Sequence, residues 1–81
     1  LSIKVGEQSI TQLTIKELQI FALLYRARGQ SLSRDEVQRK VWGETHVSPK
    51  TLDVHLFHLR RKIKPFGIEI SYHPVKGYFI N

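Results

Sequence analysis

The sequence predicts an α+β domain, three helices preceded by a short β-sheet and followed by a β-hairpin, and three observations predict it. Two capping-box signatures, Thr14 with Glu17 and Ser33 with Glu36, each precede apolar residues at helical spacing. A third apolar series, Leu52, Leu56, Leu59 and Ile63, begins just behind Ser48-Pro49. Residues 68–81 hold two strand-like runs broken by a Pro and Lys turn. At 81 residues the chain has room for a single domain, residues 1–81, with one small core.

The elements follow in order. In residues 1–12, Ile3 and Val5 and then Ile10, separated by Gly6, read as a hairpin or as two small strands. The first helix starts behind Thr14, buries Leu18, Ile20, Phe21, Leu24 and Ala27, and stops at Gly29. Asp35 and Glu36 favour the positive end of a second helix, whose Val37 and Val41 share a face and which runs to Trp42 before Gly43 ends it. Trp42 is read as core or helix-end packing. After the loop from Glu44 to Val47, Ser48 is expected to cap the third helix, with Pro49 at the first position, where its missing N–H costs nothing. That helix should end near Pro65-Phe66-Gly67, and the strands run from Ile68 to Tyr72 and from Val75 to Ile80.

The third helix wants a different solvent on each side. Leu52, Leu56, Leu59 and Ile63 form one buried stripe, whereas the opposite face carries Lys50, Val54, Phe57, His58 and Arg61, with Arg60, Lys62 and Lys64 towards its end. Apolar groups among cations suit the DNA major groove, where cations meet phosphates and guanine edges and apolar groups meet thymine methyls. The charge is placed accordingly. Thirteen Lys and Arg against seven acids give +6, of which residues 1–48 hold +2 and residues 49–81 hold +4.

Composition also excludes. Without cysteine there is no disulfide framework or thiolate metal site. His55 and His58 lie three apart, but two ligands do not make a zinc site, and neither metal nor cofactor is expected. No apolar run approaches the ~20 residues needed to span a bilayer, and no signal peptide opens the chain; the expected location is the cytoplasm, with no membrane partner. No nucleophile, base and orienting group stand at a catalytic spacing and no phosphate loop occurs, so an enzyme is not expected. The chain has no Met even at position 1, and the expectation is a piece of a longer polypeptide or a processed product.

Three helices and a terminal hairpin are the parts of a winged helix, with residues 33–64 as the helix-turn-helix and 68–81 as the wing. The motifs in their order, Leu13-Thr14 with Glu17, Leu32-Ser33-Arg34-Asp35, Val41-Trp42-Gly43, Lys50-Thr51-Leu52-Asp53-Val54-His55-Leu56 with Leu59-Arg60, and Gly77-Tyr78, resemble the C-terminal effector domain of the OmpR/PhoB family of bacterial response regulators. The resemblance implies a DNA-binding transcription regulator joined to an N-terminal phosphoacceptor domain, acting as a homodimer on direct repeats in promoters. It implies the third helix in the major groove and the wing at a minor groove. It also implies that the segment of Glu44, Thr45 and His46 meets RNA polymerase, where those residues by themselves read as a simple connector.

The chain departs from the family in three places. There is sequence for two of the usual four N-terminal strands. The wing arginine falls on Pro74, which leaves Lys76 in a shifted position, and a frequent arginine pair on the third helix is replaced by Phe57 and His58.

The expected DNA contacts are therefore Lys50, Thr51, Arg60 and Arg61 at phosphates, Val54, Phe57 and His58 at base edges with His55 beside them, and Lys76 or Tyr78 from the wing. Lys62 is expected to touch phosphate or steer association. For Phe57, packing beneath the wing is an equal alternative, and Tyr78 reads equally as wing core. Asp53 is expected to orient a neighbouring Arg or Lys. The competing reading is a protein-interaction winged helix that docks a partner through Val54 and Phe57.

Overall fold

In the computed structural model, which describes residues 1–45 and 47–80, the chain runs β1 (Ile3–Val5), β2 (Gln8–Ile10), α1 (Ile15–Arg26), α2 (Arg34–Trp42), α3 (Pro49–Ile63), β3 (Ile70–His73) and β4 (Gly77–Ile80). This is the expected α+β order, with an antiparallel hairpin on each side of the helices. Ile3 pairs with Ile10 across the first hairpin, and Gly6 takes the turn at φ 62°.

Both capping boxes form. The Thr14 hydroxyl accepts from the Glu17 N–H at 3.2 Å, and the Glu17 carboxylate accepts from the Thr14 N–H at 2.9 Å. Ser33 and Glu36 make the same reciprocal pair at 3.1 Å each way. Groups within three residues of one another thus satisfy donors that a helix start leaves free. α3 begins differently from expectation: Ser48 makes no side-chain cap, and its hydroxyl lies 3.3 Å from that of Thr51 instead. At the other end Pro65 has no N–H to continue the helical ladder, so the chain tightens into a single 3-10 turn, Lys64–Phe66, closed by Gly67 at φ 76°.

The core lies where the three helices meet. Ile20, Phe21 and Leu24 of α1, Val37 and Val41 of α2, and the four apolar residues of α3 are all buried, with Ile10, Leu13, Ile70, Tyr78 and Ile80 closing the edges. One ion pair enters this region: the Lys62 ammonium stands 2.7 Å from the Glu17 carboxylate and 3.0 Å from the Gln12 carbonyl. Glu17 is 2% exposed.

The wing is shorter than expected and better anchored. β3 starts at Ile70 and β4 at Gly77, in the register Ile70 to Ile80, Tyr72 to Tyr78 and His73 to Gly77. Pro74, Val75 and Lys76 form the turn, and the His73 Nδ1 accepts from the N–H groups of Val75 at 3.1 Å and Lys76 at 3.2 Å. On its other side β4 has a neighbour that the sequence did not announce. The Leu32 N–H donates to the Tyr78 carbonyl at 2.9 Å and the Tyr78 N–H to the Leu32 carbonyl at 2.8 Å, so the segment leading into α2 is tied to the wing. Gly77 permits this approach: at φ 100° a Cβ would fall 2.1 Å from the Leu32 carbonyl oxygen.

Candidate nucleic-acid interface

At about 100° per residue, the four buried side chains of α3 occupy an arc of roughly 60°. Lys50, Val54, Phe57 and Arg61 occupy an arc of similar width about 160° away. All four are exposed, Val54 by 53% and Phe57 by 57%. The Phe57 ring, for which packing beneath the wing was the alternative, stands on the surface. It meets the His58 imidazole edge-on at 5.5 Å, and the Arg61 guanidinium lies 5.7 Å from its centroid. Thr51 is half-buried in the first turn, and His58 and Arg60 are exposed on the two flanks of the outward stripe.

Two expected contacts on α3 are turned elsewhere. His55 lies nearer the buried stripe than the outward one; it is half-buried, with its ring 5.6 Å from that of Trp42. Trp42 packs at the helix end as expected, and the Lys16 ammonium stands 5.4 Å from its ring. Lys62 faces α1, where Glu17 and the Gln12 carbonyl hold it, rather than phosphate. Burial alone would raise the Glu17 pKa, but the bonds from Lys62 and the Thr14 N–H outweigh it and leave the carboxyl below its ordinary value.

The wing contact expected from Tyr78 is also withdrawn. Tyr78 is 4% exposed, its ring packs 4.8 Å from that of Tyr72, and burial pushes its phenol pKa up. Its hydroxyl accepts from the Arg34 guanidinium at 2.7 Å, and Arg34 also donates to Asp53 at 2.7 Å and to the Pro49 carbonyl at 2.8 Å. Asp53 thus orients an arginine, as its isolation on a basic helix suggested. Sequence reasoning did not find that arginine, and the acid with no local partner was the one signal for it. Lys76 is left exposed on the wing turn, and Glu44 and Thr45 are exposed after α2; His46 lies outside the described residues.

A helix-turn-helix whose third helix shows a cationic and apolar stripe to solvent, braced against a hairpin wing, defines a winged-helix DNA-binding domain of transcription regulators. The chain belongs to the family described as transcriptional regulatory protein, C terminal, whose model matches residues 6–80, the OmpR/PhoB type that the motifs resemble. The response regulator ArlR of Staphylococcus saprophyticus is 36% identical over 66 residues, which cover 80% of this chain and 30% of that protein, so the chain matches under a third of this relative. Two solved structures share the fold. The DNA-binding domain of E. coli CadC aligns with TM-score 0.80 and 23% identity over 99% of this chain and 78% of its own. The DNA-binding domain of the response regulator AdeR, solved in complex with an intercistronic region, aligns with TM-score 0.79 and 21% identity over 99% and 84%. Among the described residues no helix is long and apolar enough to cross a membrane.

Proposed function

We propose that this domain binds double-stranded DNA sequence-specifically through α3 in the major groove, and regulates transcription as the effector end of a response regulator. The observation that carries the reading is the outward stripe of Lys50, Val54, Phe57 and Arg61, set opposite the buried stripe of the same helix. Lys50 and Thr51 would hold a phosphate at the start of α3, and Arg60 and Arg61 phosphates beside its last turns. Val54, Phe57 and His58 would meet base edges, and Lys76 would bring the wing turn to the minor groove. The Arg34 bridge supports this by holding α3 and β4 together, so that helix and wing meet the duplex at one angle. In the whole protein the domain would act as a dimer on direct repeats, with the loop of Glu44 and Thr45 towards RNA polymerase.

Selection from randomised duplexes at two salt concentrations tests the reading. Base contacts predict a recurrent motif, and the three cations at phosphates, Lys50, Arg60 and Arg61, a slope of log affinity against log salt of about −3. Affinity that ignores salt and sequence would replace this reading with protein docking through Val54 and Phe57.

A further inference from the structure

Phe57 and Val54 stand in the middle of a cationic stripe, where contact with phosphates alone would call for polar side chains. Each is more than half exposed, and water penalises both until a partner covers them. Phe57 is also held in place, with the His58 imidazole against its edge and the Arg61 guanidinium 5.7 Å from its centroid. Neither side chain can hydrogen-bond. Among the groups that base pairs show in the major groove, donors and acceptors give such side chains nothing, and the one apolar group is the C5 methyl of thymine. The surrounding Lys50, His58 and Arg61 favour a polyanion over an apolar protein surface as the occupant.

On the reading of α3 as the major-groove helix, we propose that Phe57 and Val54 make this domain select thymine, through the methyl groups of two neighbouring base pairs. Three helical residues advance about 4.5 Å. Bases along one strand advance about 3.4 Å. The two side chains therefore reach positions one or two steps apart.

The test replaces thymine by uracil, one position at a time, in the duplex that selection yields. This removes a methyl and leaves every donor and acceptor in place. Fluorescence anisotropy with the 81-residue chain should show a loss of about fourfold at each of two nearby positions, the factor that burying one methyl supplies. Phe57→Ala should bind thymine and uracil equally at one of them while keeping the discrimination at the other, and Val54→Ala should do the converse. Both residues lie outside the core, so the variants should melt as the parent does. Equal binding of thymine and uracil everywhere, or a thymine preference that survives at both positions in Phe57→Ala, overturns the proposal and leaves the major-groove reading standing. Absence of saturable binding to any duplex overturns both.

Discussion

The Arg34 guanidinium stands 2.7 Å from the Asp53 carboxylate, and through it three segments distant in sequence are joined: the start of α2, the first turn of α3 and β4. The network spans α3 and the wing, the two surfaces proposed to meet the duplex, and sets the angle between them.

The ion pair itself should contribute little to stability. Its side chains are 31% and 57% exposed, and a screened pair of this kind is worth less than about 1 kcal/mol. The Tyr78 hydroxyl is another matter, because it is buried and Arg34 is its donor. Arg34→Ala should cost about 1 to 2 kcal/mol in urea unfolding and Asp53→Asn about 0.5 kcal/mol or less. Equal costs would mean that the tyrosine bond contributes nothing.

Gly77 and Gly43 both have positive φ, 100° and 64°, but a Cβ at Gly43 meets open space, whereas one at Gly77 meets the Leu32 carbonyl at 2.1 Å. Gly43→Ala should cost about 1 kcal/mol of backbone strain. Gly77→Ala should cost at least ~2 kcal/mol and weaken the hold of the wing on α2. Hydrogen exchange at the Tyr78 amide reads that loosening; protection equal to the parent's would contradict it.

Glu17 should govern part of the acid sensitivity. Its pKa is lowered from 4.5 in the folded chain, so it stabilises the fold above the unfolded value and loses that contribution as pH falls through the folded one. Urea midpoints should hold from neutrality to about pH 5 and then decline. Glu17→Gln should start about 1 to 2 kcal/mol lower at neutral pH and decline less steeply in acid. A parallel decline would assign the effect to other carboxyls.

Lys62 and Arg61 are adjacent cations with opposite surroundings. Lys62→Ala leaves the buried Glu17 carboxylate without its ammonium and should cost about 1 to 3 kcal/mol of stability, with little change in the salt slope of DNA binding. Arg61→Ala should leave the urea midpoint alone and reduce that slope by about 1. Anisotropy titrations at several salt concentrations, beside urea melts, separate the two; a reversed pattern would contradict the assignment of both side chains.

The helix starts, the buried stripe of α3 and its outward stripe were legible before any coordinates, because each depends on residues within a turn or two of one another. A capping box spans three residues, and a helical stripe follows from spacing alone. The flanks of α3 were not legible. A side chain between the buried and outward arcs goes to solvent or to a neighbouring element, according to how the helices cross. Hence His55 turned to Trp42 and Lys62 to Glu17, although both looked like DNA contacts. The partners of Tyr78 lie at Arg34 and Leu32, before α2, and nothing in a local pattern encodes pairing at that distance. Periodicity states which face of a helix must be dry; only the packing of three helices and a wing states what each remaining side chain touches.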